Sequence, residues 1–127
     1  MASTAGVRPR GGSPDYAATK AAIINMTVSL AAELASSGVT VNTVSPGPIR
    51  TPGLEEMFTQ RAREHGWGED WDQIEKEAVR TMIPVPLGRF GRPEEVAAAV
   101  AFLASPRASY IHGADLRVDG GSPGTVN

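Results

Sequence analysis

Between Ser13 and Ser36 the chain carries an alanine-rich stretch in which Ile23, Met26, Thr27, Leu30, Ala31 and Leu34 recur at steps of three and four residues. That spacing predicts a helix, opened by Ser13-Pro14-Asp15 and closed at Gly38. A β-branched run, Val39-Thr40-Val41-Asn42-Thr43-Val44-Ser45, follows at once and stops at Pro46-Gly47-Pro48. Such a run reads as a buried strand feeding a loop. The order helix, strand, loop is an α/β signature.

The rest of the chain fits around that unit. Residues 3–15 (STAGVRPRGGSPD) are rich in Gly, Pro and Ser and read as a loop. Over residues 52–83, Leu54, Met57 and Phe58, then Trp67, Trp71, Ile74, Ala78 and Met82, fall at helical spacing. Gly66 and Gly68 interrupt the series, which predicts two short helices. Pro93-Glu94-Glu95 opens another helix with an apolar stripe of Val96, Val100 and Leu103, and Ser105-Pro106 stops it. Ala114 to Asp119 alternates briefly before Gly120-Gly121, giving a second strand and a mobile tail to Asn127.

Composition narrows the function classes. The chain has 127 residues with a net charge of -2, which is one domain at most. Cysteine is absent, so disulfides, thiolate metal sites and thiol nucleophiles are excluded, and a reducing, cytoplasmic setting is expected. The start has no apolar signal region, and no apolar run approaches the roughly 20 residues of a membrane span. A soluble protein with no membrane partner is expected. The only lysines are Lys20 and Lys76, and the arginines are scattered among acids, so no basic stripe offers a nucleic-acid footprint.

Tyr16 and Lys20 stand four apart at the start of the first helix, on one face and about 6 Å apart along the axis. A phenol, ordinarily titrating near pH 10, is a poor acid or base at neutral pH, but a neighbouring ammonium favours the phenolate. Ser3, across the turn-rich loop, can return its hydroxyl to a carbonyl bound beside that phenol. Taken alone, Tyr-x-x-x-Lys reads as an interfacial tyrosine with a solvated lysine. The combination carries more.

Ser3, Gly6, Tyr16 and Lys20 together resemble the short-chain dehydrogenase/reductase family, whose pattern is Ser, a Gly three residues on, and Tyr-x-x-x-Lys on a long helix. The resemblance continues through Val41-Asn42-Thr43-Val44-Ser45-Pro46-Gly47-Pro48-Ile49-Arg50-Thr51, through Leu87 to Ala97, and through Val118-Asp119-Gly120-Gly121. It implies a Rossmann-like, doubly wound parallel sheet, of which this chain holds the C-terminal portion: two strands plus helices. It implies catalysis by Ser3, Tyr16 and Lys20, with Tyr16 exchanging a proton with the carbonyl or hydroxyl oxygen. Lys20 would activate the phenol and hold the nicotinamide ribose, and Ser3 would orient the substrate. The cofactor is NAD or NADP; Pro46 and Gly47 lie in the loop on its nicotinamide side, and the Ile49 main chain and Thr51 support its carboxamide and phosphate side.

By the same resemblance the chain divides into an active-site loop (1–15), a catalytic helix (15–37), a strand and cofactor-side loop (39–51), a substrate lid (52–92), and a last helix, strand and tail (93–127). In the lid, Trp67, Trp71, Ile74, Ala78 and Met82 would form an apolar wall admitting a hydrophobic ketone or alcohol, or would simply be packing. The N-terminal nucleotide-binding half is absent, because no Gly-x-x-x-Gly-x-Gly follows a strand. The expectation is therefore an incomplete oxidoreductase, inactive alone, with weak or no cofactor binding and with Ser3 mobile for want of a strand ahead of it. A homo- or hetero-oligomer acting on a small carbonyl/alcohol substrate is expected. The alternative is a non-catalytic assembly partner of a complete reductase subunit. His65 and His112 have no partner at metal-ligand spacing, so no metal is expected; Glu94 and Glu95 read as dipole-stabilising acids of a first helical turn.

Overall fold

The computed structural model describes residues 1–9 and 11–122. Among these, two parallel strands, β1 (Thr43–Pro46) and β2 (Asp115–Val118), are combined with four helices: α1 (Pro14–Leu34), α2 (Pro52–His65), α3 (Trp71–Thr81) and α4 (Pro93–Leu103). A short 3-10 turn, Thr4–Gly6, precedes α1. The tail expected after Ser122 lies outside the described residues.

Two boundaries differ from those expected. The first helix ends at Leu34 rather than Ser36, because the Ser37 amide and hydroxyl both donate to the Leu34 carbonyl, at 2.9 and 2.7 Å, and so bend the chain away from the helical ladder. The strand begins at Thr43 rather than Val39, and Val39 is exposed. Ahead of Thr43 the two segments are joined irregularly: the Val41 amide donates to the His112 ring, and the Asn42 side chain donates to the Ile111 carbonyl and accepts the Ala114 amide, so regular pairing starts with Thr43 and Asp115. α2 and α3 are separate helices as expected, with Gly66 ending α2 in the left-handed conformation at φ 69°.

Strand alternation puts α1 and α4 on opposite faces of the sheet. On one face Thr43 meets Thr27 of α1 in a buried hydroxyl pair; Thr27 donates to the Ile23 carbonyl, so Thr43 is the donor between them. Ser45, two residues on, is fully buried and donates to Asp115 of β2 at 2.6 Å. On the other face Val44 shares a groove with Val100 and Leu103 of α4. His112 also ties layers together: its Nδ1 accepts the Val41 amide at 3.1 Å, so its Nε2 donates to the Ala31 carbonyl of α1 at 2.7 Å.

The apolar core lies outside the sheet. Phe58 and Ala62 of α2, Ile74 and Ala78 of α3, and Phe90 are buried together, with the Phe58 and Phe90 rings 5.4 Å apart and tilted. Trp67, Trp71 and Met82 pack against this cluster. Of the two readings of residues 52–92, these side chains follow ordinary packing: an amphipathic stripe finds its partner in the facing helix before it can line a pocket.

Candidate active site

Tyr16 occupies the first turn of α1 and is 46% exposed. Lys20, one turn on, places Nζ 5.3 Å from the centre of the Tyr16 ring. The two side chains converge as their spacing requires.

Ser3 opens the 3-10 turn, and its Oγ accepts the Ala5 amide at 3.2 Å. That bond occupies a lone pair and leaves the hydroxyl proton for a further acceptor. The expected mobility of Ser3 gives way to a tether. Ala2 is buried and its amide donates to the Val44 carbonyl at 2.9 Å, on the edge of β1 turned away from β2. Pro46 has no amide to offer on that same edge, so pairing stops there.

Gly6 explains how the turn can lie against the helix. A Cβ there would stand 2.8 Å from the Ala21 amide nitrogen and 2.8 Å from the Lys20 carbonyl carbon, both backbone atoms. The absent side chain lets the turn that carries Ser3 pack on the turn of α1 that carries Lys20.

The loop after β1 is held at both ends. A Cβ on Gly47 would lie 2.8 Å from Asp119 Cα, and the Gly47 amide donates to the Val118 carbonyl at 3.0 Å. Further on, Pro48 accepts from the Gly91 amide at 3.0 Å and the Arg50 amide donates to Gly91 at 2.8 Å. Parallel pairing of this kind turns the amide and carbonyl of Ile49 to the opposite side. Thr51 caps α2, its Oγ1 accepting the Leu54 amide at 3.3 Å. The partner segment is itself clamped: Arg89 hydrogen-bonds Glu95, and with the Arg92 amide this holds the Glu95 carboxyl down at about 2.

Ser3, Tyr16, Gly47 and Pro48 line one partly open cleft of about 240 Å³. Thr4, Arg8 and Ser13 from the N-terminal loop, Ile83 after α3, and Ser122 after β2 line it too. None of these five is marked as a site residue by its sequence context. Arg8 and Ser13 sit in the same turn-rich loop as Ser3, so their proximity had a local signal. Ser122 is brought there by the contact of its hydroxyl with the Pro84 carbonyl at 3.3 Å, which no local pattern encodes. Lys20 flanks the cleft through Tyr16; Ile49 and Thr51 stand farther along the loop. Among the described residues no three His, Asp or Glu side chains gather as a metal site, and no helix is long and apolar enough to cross a membrane.

Comparison with known proteins bears on this geometry. A family profile described as Enoyl-(Acyl carrier protein) reductase matches residues 1–122. The chain is 42% identical over 121 residues to the 3-oxoacyl-[acyl-carrier-protein] reductase FabG of Vibrio cholerae, covering 95% of this chain and 43% of that protein. It is 45% identical to 4-formylbenzenesulfonate dehydrogenase of Comamonas testosteroni, covering 95% of this chain and 44% of that one. Among solved structures, L-sorbose reductase from Gluconobacter frateurii, complexed with NADPH and L-sorbose, superposes with a TM-score of 0.86 at 34% identity, covering 98% of this chain and 46% of that chain. The chain thus spans less than half the length of these relatives. With a profile match across nearly all of its residues and an α/β fold shared with solved reductases, the chain belongs to the short-chain dehydrogenase/reductase family.

Proposed function

We propose that this chain supplies the acid/base and substrate-orienting side chains of an NAD(P)(H)-dependent oxidoreductase that interconverts a carbonyl and an alcohol. The observation that carries the reading is the convergence of Ser3 and Tyr16 on one cleft, with the Lys20 ammonium over the tyrosine ring. The relatives' names cover 3-oxoacyl-[acyl-carrier-protein], 4-formylbenzenesulfonate and L-sorbose, which bracket this chemistry without choosing a substrate.

In the reduction direction the Ser3 hydroxyl donates a hydrogen bond to the substrate oxygen and fixes it beside Tyr16. Tyr16 then gives up its Oη proton to that oxygen, and the Lys20 ammonium stabilises the charge left on the phenol. The nicotinamide, when bound, supplies or accepts the hydride. The residues present fit the nicotinamide end of such a cofactor: the cleft is floored by Gly47 and Pro48, at the end of β1 after Pro46, and the Ile49 main-chain groups face away from their neighbouring strand segment. Thr51 keeps a hydroxyl proton to donate while its oxygen caps α2. Lys20 and Tyr16 would hold the ribose. No glycine-rich turn is present to cradle the pyrophosphate, so the 127-residue chain binds NAD(P)H weakly on its own. Tight binding in a fluorescence titration of the purified chain would overturn that part.

Joined to the portion of the Vibrio cholerae relative that it does not match, the chain should catalyse NAD(P)H-dependent carbonyl reduction. There, Tyr16→Phe should lower turnover by about 10²–10⁴-fold; near-normal turnover would remove the mechanism. A cytoplasmic setting fits the lack of cysteine. The exposed Met26, Val28 and Leu30 on α1 favour an oligomer, and they also support a second reading, a non-catalytic partner docking on a complete reductase subunit. A discrete complex with such a subunit, indifferent to Tyr16→Phe and silent in the chimera, would select that second reading.

A further inference from the structure

We infer that Ile83 is the specificity-determining residue of this site: it forms the apolar wall that holds the alkyl substituent of a ketone or secondary alcohol. The inference rests on the oxidoreductase reading above and adds the substrate class and the residue that selects it. The first observation is the make-up of the cleft. Ala5, Ala17, Pro48 and Ile83 line it beside Ser3 and Tyr16, and among the described lining residues Ile83 is the one branched aliphatic side chain. Sites for small molecules combine apolar walls with a few polar groups that fix orientation. Ser3 and Tyr16 are those groups here.

The second observation is how the other serine hydroxyls of the lining are used. Ser122 spends its proton on the Pro84 carbonyl at 3.3 Å, and Ser13 is exposed and keeps its water. Neither is held ready for a further substrate hydroxyl. The reacting oxygen is served by Ser3 and Tyr16, and the apolar side chains are left for the carbon skeleton attached to it.

The third observation is that Ile83 is braced. It packs against the core that Phe58, Ile74, Ala78 and Phe90 form, so the wall is supported from within the α2–α3 unit. The Met82 and Ile83 amides both donate to the Ala78 carbonyl at 2.9 Å, which fixes the backbone as α3 ends. Beyond Ile83, Val85 is buried in the same core, and its Cγ1 stands 2.8 Å from where a Cβ on Gly120 would lie. With Ser122 bound to Pro84, the chain is thus held on both sides of the wall. A surface fixed in advance is not ordered at the substrate's expense. The apolar series of residues 67–82 does not line the cleft, but it bears on the substrate through Ile83.

The test is binding to the 127-residue chain without cofactor, read from amide and methyl shifts in correlation spectra. The probes are methyl ethyl, methyl propyl and methyl butyl ketone, with methyl methoxyethyl ketone, which matches the butyl compound in length and puts an ether oxygen in place of one methylene. Affinity should rise about two- to fourfold per methylene, with shifts at Ser3, Ala17 and the Ile83 methyls, and the ether should bind more weakly than its butyl counterpart. In Ile83→Ala, whose spectrum reports whether the fold is kept, the whole gain from ethyl to butyl should fall below about twofold. Ile83→Val should lie between, and Leu87→Ala, at an exposed side chain outside the cleft, should leave the gain unchanged. A merely structural defect would weaken all the ketones alike and keep their ratio. Affinity that is flat along the series, no saturable shift with any ketone, an ether bound as tightly as the butyl compound, or a gain unchanged in the folded Ile83 variants overturns the inference. Failure of the underlying reading looks different. A chimera that reduces these ketones without regard to chain length would leave the oxidoreductase and remove the role of Ile83. An Ile83-dependent gain in binding to a chimera that reduces none of them would leave the apolar wall and remove the oxidoreductase.

Discussion

Replacing Gly6 by alanine inserts one methyl group where the structure has no room for it. The new Cβ would stand 2.8 Å from two backbone atoms of α1, the Ala21 nitrogen and the Lys20 carbonyl carbon, and 3.0 Å from Ile24 Cδ1. Ordinary carbon contacts begin near 3.5 Å, so the gap must widen by about 0.5–1 Å. The Ile24 methyl can rotate aside. The helix backbone cannot, because its atoms belong to the hydrogen-bonded ladder of a 21-residue helix. The 3-10 turn therefore lifts, carrying Ser3 and Arg8 with it. Overpacking of this kind costs about 1–3 kcal/mol. A control lies in the same chain: at Gly53, in the first turn of α2, an added methyl group would meet nothing within 4 Å. Gly53→Ala should stabilise by up to about 1 kcal/mol, because alanine restricts the unfolded chain and favours the helix. Urea denaturation of the wild type and both variants gives the two values side by side. Amide spectra then show whether Ser3, Thr4 and Arg8 shift while α2 and α3 stay put. A Gly6→Ala variant within about 0.5 kcal/mol of wild type, with those shifts unchanged, would refute the packing account of the Ser3 turn.

Two further outcomes follow from the packing and the electrostatics. Phe58→Ala removes a fully buried ring stacked at a tilt on Phe90 and should cost about 3–5 kcal/mol in the urea midpoint series; a loss under about 1 kcal/mol would mean that α2 and α3 do not form the core. Glu95 titrates at about 2 when folded against an ordinary 4.5, because it accepts from Arg89 and from the Arg92 amide. A depressed carboxylate stabilises the fold above its unfolded value and loses that contribution as protons are added, so the gap between wild type and Glu95→Gln should be full above about pH 5 and close as pH falls toward 2. A gap that stays constant across that acid range would show that the ion pair does not stabilise the folded chain.

Local chemistry accounts for much of this molecule. Helical spacing alone puts Tyr16 and Lys20 on one face, because a turn of 3.6 residues leaves them no other arrangement. The β-branched run stopped by proline, and the two apolar series broken by glycine, mark β1, α2 and α3 without reference to anything distant. The Ser3, Gly6, Tyr16 and Lys20 pattern likewise carries the family, through a step of three from Ser3 to Gly6 and of four from Tyr16 to Lys20, although the step of ten from Gly6 to Tyr16 leaves the meeting of the two pairs to the tertiary structure.

What lay beyond the reach of the sequence was decided by partners far away in the chain. β1 starts at Thr43 because its ladder partner Asp115 lies 72 residues later, while Val41 and Asn42 ahead of it are engaged by the His112 ring and the Ile111 carbonyl instead. The aromatic and aliphatic stripe of residues 67–82 faces Phe58 and Phe90 rather than the cleft, and amphipathicity names a buried face without naming what covers it. Ser3 is fixed by one backbone bond from Ala2 to Val44, and Ser122 reaches the cleft through Pro84. Spacing along a chain dictates which side chains share a surface; which surfaces meet is settled by long-range packing, and it is that packing which brings Ile83, Pro48 and Ser122 to the cleft that Ser3 and Tyr16 line.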